Sequence, residues 1–508
     1  MGVVRSAVLR PMPAACRTIV MKRSWSVAMA VSIGRCRPCL KPTAILPPVR
    51  EQLDTDVAIV GAGVVGCAVA RELSQFDLRV TLLEAGPDVG AGTSKANTAL
   101  LHTGFDAKPG TLEARLVARG FELLCEYAGR VGIPVEHTGA LLVAWNEEQR
   151  AEFPGIVERS HANGYREIGE IGVDELYRRE AHLGPGAHGA LEVPAEGLVC
   201  PFTTPLAFTT EAVLAGCDLR RSTPVTTIDR LENGGFRLGT PAGHLSARYL
   251  VNAAGLHSDE IDRMLGHERF TVTPRRGQLI VFDKLARPLV DHIVLAVPTK
   301  ITKGVLIAPT VFGNVMLGPT AEDVERKDDT GSTRDGLAYL RTEGARIMPE
   351  LLEHEVTAVY AGLRAATEHV DYQLSVHAAE GYACVGGIRS TGLSASMGIA
   401  EHVREQLGVA GLRLEPRDRA PVDFTMPNIG EGFERPYERG ELITADREYG
   451  RIVCFCERVT RGEIRDALAA PVAAVDLDGL RRRTRAHMGR CQGFFCGAEI
   501  AELLEGPR

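Results

Sequence analysis

Asp56-Val57-Ala58-Ile59-Val60-Gly61-Ala62-Gly63-Val64-Val65-Gly66 decides the fold of this chain. A mostly apolar run enters a G-x-G-x-x-G turn, an apolar helix follows, and Arg79-Val80-Thr81-Leu82-Leu83-Glu84 makes the next strand. Gly61 permits the tight turn, Gly63 lets backbone approach a diphosphate, and Gly66 allows helix and strand to pack closely. The helix N-terminus then turns free N–H groups and a partial positive charge toward that diphosphate. Glu84 closes the second strand eighteen residues after Gly66, where a carboxylate suits the two hydroxyls of an adenosine ribose. Strand, helix and acid together read as a dinucleotide site, against the plainer reading of a ligand-free glycine turn. The motif alone does not separate FAD from NAD.

Length and composition bound the rest. The 508 residues allow two or three domains, and 45% hydrophobic with 24% charged residues is ordinary for a globular protein. A net charge of −7 argues against bulk nucleic-acid binding. No apolar run approaches the roughly 18 residues that span a bilayer. Residues 1–53 carry nine Lys and Arg before the first acid at Glu51. This leader reads as an organelle transit peptide or as a mis-called start upstream of Met21 or Met29, with the second reading preferred. The expected setting is therefore a bacterial cytoplasm, with peripheral membrane association allowed and organelle targeting as the rival.

Along the chain, Gly92–Gly104 is too polar and glycine-rich for a buried element. Leu112–Val131 is a helix with an apolar stripe, capped by Gly132. Ala247–Gly255 is a buried strand ending in small residues that let a cofactor come near, and Ser258–Met264 starts a helix. Residues 270–320 are strand-rich, with Gly313-Asn314 as a hairpin turn. Thr357–Leu363 is a strand ending at Arg364. Gly386-Gly387-Ile388-Arg389-Ser390-Thr391-Gly392-Leu393 then repeats the glycine-to-helix logic and offers a second place to stabilise negative charge. Residues 407–450 read as a linker, and 451–508 as a separate small domain whose first helix opens on the capping box Thr460/Glu463.

Of the twelve cysteines, Cys454, Cys456, Cys491 and Cys496 cluster in the tail as C-x-C and C-x4-C. Four thiolates suit a 2Fe–2S cluster or a structural zinc, and zinc favours C-x2-C pairs, so the cluster is preferred. The neighbouring run Arg481-Arg482-Arg483-Thr484-Arg485 is either a solvated helix face or a docking patch for an acidic partner.

Gly61–Gly66 with Glu84, His102 in Leu-Leu-His-Thr-Gly, Asn252–Gly255 and Gly386–Leu393 together resemble the D-amino-acid-oxidase-like FAD superfamily. The tail from Cys454-Phe455-Cys456-Glu457 to Cys496 resembles the bacterioferritin-associated-ferredoxin-like domain that ends the large subunit of anaerobic glycerol-3-phosphate dehydrogenases. The resemblance implies an α/β FAD-binding Rossmann-like domain interleaved with an antiparallel-sheet substrate domain, plus a small α-rich iron–sulfur domain. The FAD part is expected at about 54–130, 190–266 and 358–406, and the substrate part at about 131–189 and 267–357. Cofactor contacts are expected from Gly61, Gly63, Gly66, Glu84, Thr93, Ser94, Gly255, Gly387, Arg389, Gly392 and Leu393. The implied reaction is hydride loss from a small anionic alcohol to FAD, with glycerol-3-phosphate first in line and a quinone or electron-carrier subunit as acceptor. Two features point elsewhere. Leu101–Arg115 also resembles L-2-hydroxyglutarate dehydrogenases, and Ile388 stands where the glycerol-3-phosphate enzymes carry a lysine. A 2-hydroxy-acid dehydrogenase or amino-acid oxidase is the enzymatic alternative, and a non-catalytic electron-transfer flavoprotein subunit the other.

Such chemistry needs a base for the hydroxyl proton and a cation for the substrate's anion. His102 on the loop near the ring is the first candidate base and His257 the second, although a lone histidine is often structural. Arg364 is the candidate anion grip, since its planar fork matches carboxylate or phosphate.

Overall fold

The computed structural model describes residues 53–298, 304–418 and 422–506. The leader therefore lies outside the described residues, apart from Leu53.

Thr55–Val60 is the central strand of an eight-stranded sheet, parallel to Val80–Leu83 on one side and to Gly243–Asn252 on the other. Its neighbours bury it on both faces, which is why the sequence runs apolar rather than alternating. Helix Val64–Leu73 leaves the glycine turn and packs back on the sheet. Gly61 has φ +100°, and a Cβ there would lie 2.6 Å from the Ala253 carbonyl oxygen. A Cβ on Gly66 would fall 1.9 Å from the Gly61 carbonyl oxygen, so only glycine closes the turn.

Helix Leu112–Val131 has the bounds its periodicity predicts. Thr111 caps it by accepting the Ala114 N–H, and the Asp371 carboxylate accepts those of Leu112 and Glu113. A cap of this kind stabilises a helix by about 1 kcal/mol. Gly120 and Gly398 let this helix lie directly against Gly392–Val409: a Cβ on Gly120 would be 2.3 Å from the Ser394 carbonyl oxygen.

A nine-stranded sheet forms the second layer. Its long hairpin-like pair, Thr273–Phe282 and Val356–Ala366, runs antiparallel with Gly277 opposite Gly362 and Arg275 opposite Arg364. Two expected boundaries shift here. Ala190–Val193 pairs with Ala140–Val143, and Val356–Ala366 pairs with Thr273–Phe282, so both strands belong to the substrate sheet rather than the FAD part. The strand also runs two residues past Arg364.

The segment after the helix end at Val409 is strapped to the first domain rather than free. Arg417 donates to the Phe76 and Leu78 carbonyls, and Met426 N–H to Val131. The tail folds as a two-stranded ribbon and three helices, Arg461–Ala469, Leu477–Thr484 and Gly497–Glu505, around Val453, Val459, Ile464, Leu480 and Ile500. The Thr460/Glu463 capping box is present. No helix among the described residues is long and apolar enough to cross a membrane.

Candidate active site

A cavity of about 1120 Å³ opens along the glycine turn. It exceeds the roughly 300–1,000 Å³ typical of small-molecule sites, as an elongated dinucleotide requires. Gly61, Gly63, Glu84, Thr93, Ser94 and Gly255 line it. Ser94 Oγ accepts the Val64 N–H at 2.9 Å, holding its loop over the helix start. Glu84 accepts the N–H groups of Ala62 and Gly86, each at 2.7 Å, while burial pushes its carboxyl up. The cradle fits FAD: backbone lies bare at the turn, and the acid stands at the ribose end.

The loop 92–104 is pinned to the strand that carries Arg364. Thr93 Oγ1 donates to the Leu363 carbonyl at 2.7 Å, and Tyr360 donates to the Asn97 carbonyl at 2.7 Å. A Cβ on Gly362 would sit 1.9 Å from the Ala96 carbonyl oxygen, so loop and strand touch through backbone.

His102 directly follows the short strand Leu100–Leu101. Its Nδ1 lies 2.9 Å from Oε2 of Glu196, which is fully buried and also accepts the N–H and hydroxyl of Thr103. Its backbone N–H donates to Ser394 Oγ, tying it to the second glycine turn. Glu196 escaped the sequence reading. Pro194-Ala195-Glu196-Gly197 looks like a polar turn, and only the antiparallel pairing of Leu101 with Gly197 brings it under His102.

Arg364 is half-buried and donates to the Thr320 carbonyl at 3.3 Å. Burial, helped by repulsion from Arg275, brings it down to about 10. Arg275 itself is paired with Asp323, and Arg276 with Glu322 and Asp329, so both are occupied structurally. Gly277 seats the Arg364 fork: a Cβ there would lie 2.9 Å from Nη2. Among the described residues no carboxylate pairs with this guanidinium, whose fork has the geometry to take an external anion.

The other candidates are placed differently. His257 reaches the cavity rim but is half-exposed and paired with Glu260. Arg389 is held by Glu113 and the Val370 carbonyl, away from the cavity lining. Gly387, at φ +64°, packs on Gln373. Gly392 and Leu393 open the helix whose next residue, Ser394, meets His102. Ile388 is apolar packing and supplies no cation.

In the tail, Cys454 and Cys496 are buried and Cys456 and Cys491 half-buried. Backbone N–H groups of Phe495, Gly493 and Phe494 around the Cys491 sulfur hold its pKa below the usual thiol value. Burial pushes Cys496 up to about 12, so a metal must displace its proton. Among the described residues no three of these sulfurs lie within 4.8 Å of one another. Four thiolates on one zinc would sit about 3.8 Å apart, so the spread suits two irons better than one ion.

Three of the run's four arginines, Arg482, Arg483 and Arg485, are buried and paired within the fold. Asp88, fully buried, accepts from Arg483 at 2.7 and 2.9 Å and from Arg482 at 2.5 Å, with Arg221 at 3.6 Å. Arg485 lies 4.2 Å from the Phe312 ring centroid and 3.3 Å from both Asn314 and Glu457. The acidic partner of the basic run is the chain's own flavin domain.

A βαβ turn with a ribose acid, an FAD-sized cavity and a four-cysteine tail define a flavin and iron–sulfur oxidoreductase. The sequence model of the FAD dependent oxidoreductase family matches residues 56–406, and the chain belongs to that family. A BFD-like [2Fe-2S] binding domain matches residues 452–506. The chain is thus an FAD-dependent oxidoreductase with a 2Fe–2S domain. It is 35% identical to a glycerol 3-phosphate dehydrogenase of Caloramator mitchellensis, over 88% of this chain and 93% of that protein. It is 27% identical to the anaerobic glycerol-3-phosphate dehydrogenase subunit A1 of Haloferax volcanii, over 88% and 82%. Its fold matches the FAD-bound L-alpha-glycerophosphate oxidase of Mycoplasma pneumoniae with a TM-score of 0.70 and 28% identity, covering 74% of this chain and 99% of that one.

Proposed function

We propose that the protein oxidises glycerol-3-phosphate to dihydroxyacetone phosphate and passes the electrons through its 2Fe–2S domain to an electron-carrier protein or quinone. The observation that carries this reading is Arg364, a half-buried guanidinium without a carboxylate among the described residues, on the strand that the flavin loop touches. The names of the relatives at 35% and 27% identity support the phosphate substrate.

Arg364 grips the phosphate and fixes the carbinol carbon. His102 takes the hydroxyl proton on its Nε2, while Glu196 holds Nδ1 and stabilises the charge that the ring gains. FAD, when bound, supplies the two-electron acceptor, and the cluster a one-electron store. Gly61, Gly63 and Ser94 would hold the diphosphate, and Glu84 the ribose. Phe455, Phe494 and Phe495 lie in the two cysteine loops at 70%, 85% and 74% exposure, a landing surface for the apolar face of a carrier protein.

The test is turnover of the reconstituted enzyme with a redox dye on glycerol-3-phosphate, glycerol, L-2-hydroxyglutarate and a neutral amino acid. Activity on glycerol-3-phosphate alone, with little peroxide in air, is the expected result. Preference for hydroxyglutarate or the amino acid refutes the substrate assignment.

A further inference from the structure

The cavity beside the glycine turn is walled partly by the other domain. Asp478, Arg481, Arg482, Arg485, Met488 and Gln492 of the iron–sulfur domain line it together with Gly61, Gly63, Glu84 and Ser94. The wall is fixed in place by Asp88 with Arg482 and Arg483, by Lys95 with Asp478 at 2.7 Å, and by Gln492 on the Thr357 carbonyl at 3.1 Å.

FAD brings a diphosphate with two negative charges into this cavity. The glycine turn meets it with N–H groups and the Ser94 hydroxyl but with no full charge. Among the described residues that line the cavity, nearly every cation already has a carboxylate. Lys95 has Asp478, Lys327 has Asp259 and Glu260, Arg482 has Asp88 and Asp478, and Arg485 has Glu457. Arg481 has none, and its Nε is buried with no hydrogen-bond partner. Arg481 follows Asp478 by three residues on the helix Leu477–Thr484, so the two share a face. Asp478 meets Lys95, the residue after Ser94, beside the helix start where the diphosphate belongs.

We propose that Arg481, from the iron–sulfur domain, binds the FAD diphosphate and so makes flavin retention depend on the docked tail. The guanidinium, whose Nε is buried without a partner, gains a charged acceptor, and the diphosphate gains a counter-charge that its own domain lacks. Electron donor and electron store are thereby held together by the cofactor itself, in addition to the ion pairs around Asp88.

The experiment uses full-length protein with its cluster intact, stripped of flavin and titrated with FAD and separately with ADP. Arg481→Gln is expected to weaken both ligands roughly 10- to 100-fold, the range for one charge-assisted hydrogen-bonded contact. Arg481→Lys recovers most of that loss. Arg490→Gln, whose partner Asp283 lies outside the cavity, leaves both affinities unchanged. Iron content and the melting temperature of the flavin-free protein stay at wild-type values in all three variants. FAD and ADP affinities within twofold of wild type in Arg481→Gln overturn the proposal. A loss for FAD with ADP unaffected places the contact on the ring system and also overturns the diphosphate assignment.

Discussion

Arg483 and Arg364 are both guanidinium groups drawn into the fold, the first buried and the second half-buried, and the protein treats them in opposite ways. Arg483 shares the fully buried Asp88 with Arg482, so its charge is neutralised inside the fold. Arg364 has a carbonyl and a glycine seat, and burial lowers its pKa. The first arrangement holds two domains together. The second leaves a charge without a carboxylate among the described residues, as the proposed anion site requires. The difference teaches which buried cations are structural: the partner, rather than the burial, decides.

Substitution separates the two. Asp88→Ala leaves Arg483 buried without a counter-charge and Arg482 with Asp478 alone, and should cost about 3–5 kcal/mol, read as a large fall in melting temperature with the tail exposed to protease. If that variant melts like wild type, the ion pairs do not hold the domains together. Arg364→Met should do the reverse: kcat/KM for glycerol-3-phosphate falls about 10²–10³-fold, the worth of two charged hydrogen bonds, while the melting temperature holds or rises. A stability loss in that variant would show Arg364 to be structural. Glu196→Gln should lower kcat about 10²-fold with KM little changed, and should alter the pH profile of kcat, because it disturbs the proton on His102 Nδ1.

The Asp88 site should also respond to acid. Burial alone would raise its carboxyl, but Arg483 and Arg482 outweigh burial and hold it below the usual carboxylate range. A carboxyl depressed on folding stabilises fully above its unfolded value, and that contribution is lost as pH falls through the folded one. Domain docking, followed by protease sensitivity of the 407–450 segment, should therefore hold above about pH 4 and weaken below it. The smallest effect is expected at the exit. Phe494→Ser with Phe495→Ser should slow reduction of a protein acceptor several-fold without changing flavin reduction by substrate.

Much of this was legible in local sequence. The glycine turn with Glu84, the helix Leu112–Val131, the Thr460 capping box and the four cysteines are short-range patterns, each with its own physical signature. What escaped was long-range. Glu196 sits 94 residues from His102, Gly277 is a seat only because it lies across from Gly362, and Asp88 meets Arg483 from 395 residues away. The run Arg481–Arg485 read as either a solvated face or a docking patch, and its composition could not say that its partner was the same chain. Arg389 looked suited to the cofactor because it follows a glycine turn, but Glu113, distant in sequence, claims it.

The central claim is that substrate binds at Arg364 and delivers its electrons to flavin and then to the cluster. Anaerobic titration of the fully reconstituted protein with glycerol-3-phosphate tests it directly, with flavin absorbance and the paramagnetic signal of the reduced cluster followed together. The account predicts flavin bleaching with partial cluster reduction in wild type, and neither in Arg364→Met at the same substrate concentration. Equal bleaching in the two proteins, or bleaching that leaves the cluster oxidised, would contradict it.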